Sequence, residues 1–212
     1  MGLQSQTVVY GGTASLSVWA GPVHPTLPLS YRWLKNGSYI ATNDCPTLIV
    51  SNVIVSTFYQ VVVVNAAGTA FKTQVGLTVL ADTDRDGLPD TVELSMGYPT
   101  NNAADGSWDY DGDGMSNAAE VAAGTDPKNS NSVLRLLFPA EGLKAGDEAR
   151  FYFAAVSNKS YSVEYRNALS GVGWETLCNF DSLPTNRVLW VTNTLPADVW
   201  SRFYRVKTPR NY

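Results

Sequence analysis

The sequence predicts a mainly β chain, with two small antiparallel β-sandwiches joined by an acidic connector that carries two short helices. Three observations lead to this. Up to residue 80, short apolar and polar alternations are broken by glycine, proline and asparagine, the period-two pattern of half-buried strands. Between residues 82 and 130 the alternation stops, and aspartate, glycine and asparagine take over. From Val133 strand patterns return, rich in the aromatic residues that half-buried sheets favour. The expected domains are therefore 1–80, 81–130 and 131–212. At 212 residues, 44% hydrophobic and 16% charged, the chain has enough apolar material for more than one core.

In the first domain the strand runs are TVVY, ASLSVWA, YRWLKNG, TLIVSNV, FYQVVVVNAAGTA and VGLTVL. Trp33 follows a strand whose inward residue is Val18, and Tyr59 lies two residues before Val61. A core tryptophan on the third strand, and a tyrosine two residues before the second position of an intersheet pair, mark immunoglobulin-type sandwiches. Residues 5–80, including the NAAGTA turn, resemble the bacterial Ig-like domains of extracellular proteins. The resemblance implies an Ig-like β-sandwich in which Val18 and Val61 replace the usual disulfide and pack against Trp33.

In the connector, DYDGDGMSNAAE fits a twelve-residue EF-hand-type loop. Asp109, Asp111 and Asp113 take positions one, three and five, and Gly114 takes the sharp turn at six. The Met115 carbonyl, Asn117 and Glu120 take positions seven, nine and twelve. DTDRDGLPDTVE repeats the pattern with Asp82, Asp84, Asp86, Gly87, the Leu88 carbonyl, Asp90 and Glu93. This all-oxygen spacing suits Ca²⁺, which takes six to eight oxygens at about 2.4 Å, better than Mg²⁺. Two Ca²⁺ ions are expected, since nine of the 19 acidic residues occupy these positions and would otherwise repel one another. Each loop leads into a short helical pattern, PDTVELSMG or SNAAEVAAG, and neither follows an amphipathic helix. The segment, with Gly124-Thr125-Asp126-Pro127 after the second loop, resembles thrombospondin type 3 and dockerin-like calcium-binding repeats of bacterial secreted proteins. That implies a structural Ca²⁺ site in a calcium-rich extracellular setting. A dockerin grips a cohesin through its helices, but the small residues of VAA and NAAE fit a rigid spacer better.

The third domain is expected to place strands at VLRLLF, ARFYFAAV, YSVEYRN, VLWVTNT and RFYRVKT. Phe151, Phe153 and Ala155 share one strand face, and Tyr161, Val163 and Tyr165 another, so a second antiparallel β-sandwich would bury them. YSVEYRNALSGVGWETL and FYRVKTP resemble the C-terminal β domains of secreted bacterial multidomain proteins.

Composition narrows the function. A net charge of −4, a sequence pI near 4.9 and no basic cluster exclude a nucleic-acid or anionic-membrane partner. No run reaches the roughly 20 apolar residues of a membrane span, and MGLQSQ lacks signal-peptide features, so the start reads as trimmed or cytosolic. The single histidine, His24, has no nucleophile motif beside it, no carboxylate pair stands out among Asp44, Glu164, Glu175 and Asp181, and AEGLKAG and SGVGW lack the features of a phosphate loop. Cys45 and Cys178 are expected to be buried or half-buried free thiols, with an interdomain disulfide as the alternative. Trp33, Trp174 and Trp190 are expected in cores, leaving Trp19, Trp108 and Trp200 for exposure. The expected function is a non-catalytic extracellular or cell-surface module stabilised by calcium. Two alternatives stand beside it. One is a carbohydrate-binding appendage of a polysaccharide-degrading enzyme. The other is a self-assembling fibre or adhesin subunit whose TVVYGG strand pairs with another copy of the chain.

Overall fold

The computed structural model describes residues 5–18, 28–43, 45–68, 71–139, 148–168, 170, 173–196 and 199–209. Its backbone groups into two units, Met1–Gly106 and Ser107–Tyr212, so one acidic loop falls in each. Trp19, His24 and Asp44 lie outside the described residues.

In the first unit the strands are β1 (Gln6–Val9), β2 (Gly12–Ser17), β3 (Ser30–Lys35), β4 (Ser38–Asn43), β5 (Thr47–Val53), β6 (Thr57–Val64) and β7 (Phe71–Leu80). Five of them form a sheet in the order β1-β7-β6-β3-β4, in which β1 runs parallel to β7 and the other pairs are antiparallel. Strands β2 and β5 pair separately. The β3–β4 hairpin is absent from the sequence expectation, although its turn is signalled. Asn36 and Gly37 both take positive φ (47° and 83°) between paired Lys35 and Ser38, the backbone that a two-residue hairpin turn requires.

Alternation on β6 turns Tyr59, Val61 and Val63 inward and leaves Phe58 exposed. Val61 lies opposite Trp33 in the β3–β6 register. Val18, Val61 and Trp33 are buried members of one core, together with Ala14 and Leu16 from β2, Val53 from β5, and Val75 and Leu77 from β7. Burying a valine contributes about 1.5–3 kcal/mol relative to exposing it. Two buried valines are therefore comparable with the ~2–4 kcal/mol typical of a disulfide.

The second unit contains β8 (Glu148–Ala155), β9 (Tyr161–Arg166), β10 (Glu175–Phe180), β11 (Arg187–Thr194) and β12 (Phe203–Lys207). They form two antiparallel sheets, β10-β9-β12 and β11-β8. One core joins Ala149, Phe151, Phe153 and Ala155 of β8 to Tyr161 and Val163 of β9 and to Leu189 and Val191 of β11. Tyr204 of β12 stacks obliquely on Phe151 at 4.6 Å between centroids. Both faces of β9 are buried over Tyr161–Glu164. Its polar residues are matched accordingly: Ser162 Oγ and Asn179 Oδ1 lie 2.6 Å apart, and Glu164 accepts from Arg205 Nε at 2.6 Å and pairs with Lys207 at 3.8 Å.

Three expectations are corrected here. VLRLLF is not a strand: it joins the sheet through one bridge, Leu137 to Tyr152, while Leu134 and Leu136 pack on the core without a ladder. Trp190 is not in the core. Leu189 and Val191 take the inward positions of β11, so Trp190 points outward, 48% exposed, against Tyr152 and Arg150. Trp174 is half-buried, with the guanidinium carbons of Arg166 and Arg205 at 4.5 and 4.3 Å from its ring. Trp108 and Trp200 are exposed. Cys45 and Cys178 form no disulfide among the described residues, and burial raises the pKa of the latter.

Val61→Asp is expected to unfold the first unit, because a carboxylate placed among Trp33 and Val18 has no partner and deep burial disfavours it strongly. Circular dichroism and proton NMR of the purified variant check this. A soluble variant with dispersed, native-like spectra refutes the core assignment.

Candidate metal centres

The two acidic loops carry the same local hydrogen bonds at equivalent positions. At position one, Asp82 accepts from the amides of Arg85 and Gly87 (2.8 and 3.1 Å), and Asp109 accepts from those of Gly112 and Gly114 (2.7 and 2.9 Å). At position five, Asp86 accepts from Leu88 N and Asp113 from Met115 N, both at 2.8 Å. At position nine, Asp90 Oδ1 accepts from Thr83 N at 2.7 Å and Asn117 Oδ1 from Tyr110 N at 3.1 Å. Gly87 and Gly114 have φ of 92° and 97°, a left-handed backbone that lets successive amides turn toward the position-one carboxylate. Two segments with little identity outside the ligand positions thus fold alike, because the shared residues form the turn.

A short helix follows each loop and presents the closing glutamate from its first turn. Helix α1 (Asp90–Met96) carries Glu93, and helix α2 (Asn117–Ala123) carries Glu120. Negative charge is favoured at helix N-termini. Ser116 caps α2 by accepting from Ala119 N, whereas Pro89 at the start of α1 makes no side-chain cap. At the other end of α2, Lys159 Nζ donates to Val121 O at 3.1 Å and ties the helix to the turn after β8.

These bonds leave a specific set of oxygens over. Both carboxylate oxygens of Asp84 and of Glu93, and one each of Asp111, Asp113 and Glu120, are buried with no hydrogen-bond partner among the described residues. Glu93 and Glu120 are 0% exposed. Burial raises Glu93 to a pKa of about 7, with Asp84, Asp105, Asp86 and Asp90 adding to the effect. Burial likewise raises Glu120 to about 7, with Asp111 and Asp113 contributing and the Thr125 hydroxyl opposing. Asp82 is raised by burial despite its two backbone hydrogen bonds.

The donor set fits a hard divalent cation. Ligand oxygens of Asp82, Asp84 and Asp86 lie within 4.8 Å of one another, and so do those of Asp109, Asp111 and Asp113. Oxygens around Ca²⁺ at about 2.3–2.6 Å can be up to ~5 Å apart, whereas Mg²⁺ at ~2.0–2.1 Å would draw them closer. Of the predicted residues, the three aspartates at positions one, three and five converge in each loop, and Glu93 reaches the first cluster through Asp84. The ninth-position oxygens brace the backbone at position two. Leu88 has its side chain buried, and Met115 Sδ accepts from Leu134 N at 3.3 Å. Sequence reasoning missed Asp105. It is fully buried, and its carboxylate lies within 4.8 Å of ligand atoms of both Asp84 and Glu93. No periodic signal marks it, because chain folding rather than loop spacing brings it there.

Residues 109–130 match the bacterial TSP3 repeat, a calcium-binding type of repeat. A search of curated proteins gave no match. Among solved structures, the N-terminal Ig1-2 module of the Drosophila receptor protein tyrosine phosphatase DLAR is 23% identical over 39% of this chain and 48% of its own, with a TM-score of 0.31. The chain thus spans about half the length of that structure. Fibronectin(III)-like modules of Clostridium thermocellum CbhA are 14% identical over 36% of this chain and 87% of theirs, with a TM-score of 0.30. Murine CEACAM1b is 12% identical over 99% and 96%, also with a TM-score of 0.30. No helix among the described residues is long and apolar enough to cross a membrane.

The pKa shifts give a pH signature. In the metal-free protein, Glu93 and Glu120 hold protons up to about pH 7, whereas their ordinary value is 4.5. Between these values the folded state binds more protons than the unfolded one, so stability falls as pH rises through the window. Melting temperature in chelator is expected to drop from pH 5 to pH 8, and the double variant Glu93→Gln, Glu120→Gln is expected to flatten that slope. A slope unaltered by the double variant would show that these two carboxyls do not set it.

Proposed function

We propose that the chain is a non-catalytic module of a bacterial secreted or cell-surface protein, in which two Ca²⁺ ions, one per loop, order residues 82–130 between two β-sandwich domains. The observation behind this reading is the repeated loop geometry, with Asp84, Glu93, Asp111 and Glu120 holding buried carboxylate oxygens that have no hydrogen-bond partner among the described residues. The match of residues 109–130 to a calcium-binding repeat supports the same ion chemistry for the second loop. In the first loop the ligands are Asp82, Asp84, Asp86, the Leu88 carbonyl, Asp90 and Glu93. In the second they are Asp109, Asp111, Asp113, the Met115 carbonyl, Asn117 and Glu120. The ninth-position residues act through water, since their side chains brace the backbone. A cation binding only the ordered loops stabilises the ordered form by mass action, and extracellular calcium is abundant enough for weak sites to fill. The role is mechanical: the ions stiffen the connector, while each β core is held by its own apolar residues.

Calorimetry of metal-stripped protein is expected to show uptake of two Ca²⁺ ions, and Asp109→Asn with Asp113→Asn is expected to remove one. Small-angle scattering in chelator is expected to show a larger radius with the β signal of circular dichroism retained. Absence of Ca²⁺ uptake would overturn the ion reading. An unchanged radius on stripping verified bound metal would overturn the mechanical one.

A further inference from the structure

We propose that Asp105 is a ligand of the cation held by the first loop, supplied from outside the twelve residues that define it; this rests on the calcium reading above. Asp105 begins a short 3₁₀ turn, Asp105–Ser107, and is fully buried. Its carboxylate lies within 4.8 Å of ligand atoms of Asp84 and Glu93. Glu93 is 0% exposed, and neither of its oxygens, nor either oxygen of Asp84, has a hydrogen-bond partner among the described residues. Two buried acids and the buried carboxylate oxygens of half-buried Asp84, sharing one small space, need positive charge or protons between them. A divalent cation satisfies all three at once, and their separation suits Ca²⁺–oxygen distances.

The segment is held in place for this role. Gly106 N donates to Asp86 Oδ2, and Asn102 Nδ2 lies 3.4 Å from Asp105 Oδ2. A Cβ at residue 106 would meet the Asp86 carboxylate and its carbonyl oxygen, so only glycine permits this approach. In the second loop Glu120 Oε1 is 3.3 Å from the Thr125 hydroxyl, a neutral donor five residues on in the chain. The first site therefore has one more carboxylate than its own loop provides, and ion binding there fastens residues 102–106 to the loop.

The test uses the full chain with the second loop disabled by Asp111→Asn and Glu120→Gln, so that calorimetry reads the first site alone. Adding Asp105→Asn is expected to weaken Ca²⁺ binding about tenfold or more, as removal of a charged ligand does. In chelator the same substitution is expected to leave the melting temperature unchanged or raised, because it removes a buried like charge, while the rise produced by Ca²⁺ shrinks. If Asp105→Asn lowers the chelator melting temperature and leaves Ca²⁺ affinity unchanged, Asp105 is a structural residue and the inference falls. If Glu93→Gln abolishes binding in that background while Asp105→Asn has no effect on it, the loop reading stands and only the added ligand is refuted. If the background protein takes up no Ca²⁺ at all, the loop reading fails and this inference fails with it.

Discussion

Buried carboxylate oxygens with no hydrogen-bond partner among the described residues are the constraint on which the middle of this chain depends. Position-one and position-five aspartates spend oxygens on backbone amides of their own loops, which fixes the turn. The remaining oxygens of Asp84, Glu93, Asp111 and Glu120 are then confined where water cannot solvate them. An isolated buried carboxylate is so costly that it takes up a proton instead, and the elevated pKa values of Glu93 and Glu120 express that response. No hydrogen-bond donor among the described residues meets these oxygens. The two β cores are under no such constraint: their buried strand faces are apolar, and Glu164 is matched by Arg205 and Lys207.

How much of this is legible in the sequence depends on how local the cause is. The loop ligands are legible because all the information sits within twelve residues, and the turn bonds depend only on residue type and spacing. Alternation in FYQVVVV likewise announces which side chains of β6 face inward. Strand β4 is a different case. Its own residues, SYIATN, alternate weakly, and the decisive signal is the Asn36-Gly37 turn that precedes it. Strand β10 carries no comparable mark, since the polar side chains in ETLCNF obscure its period.

The misplaced elements show where composition misleads. VLRLLF is apolar enough for a strand, yet its leucines reach the second core from a segment that meets the sheet at Leu137 alone. Trp190 is large and apolar, but the pleat leaves no choice once Leu189 and Val191 take the inward positions. Parity within the strand outweighs the hydrophobicity of one residue, because shifting the register by one would expose both neighbours. Tyr152 lies opposite in the ladder and Arg150 reaches over the ring, so the outward indole is covered in part by its sheet neighbours.

The two loops also differ in how each is joined to its surroundings. In the second unit, α2 is fastened by side chains from the β region: Lys159 donates to the helix's C-terminal carbonyl, and residue 124 has no room for a Cβ beside Val156. Burial lowers the pKa of Lys159, and the carbonyls at the helix end offset part of its desolvation cost. That anchorage uses one cation and apolar contact. In the first unit the corresponding closure is made by Asn102, Asp105 and Gly106 returning onto Asp86. This adds acid beside acid, where the second loop has a threonine hydroxyl. The second loop, not the first, is the one whose residues match a known calcium-binding repeat.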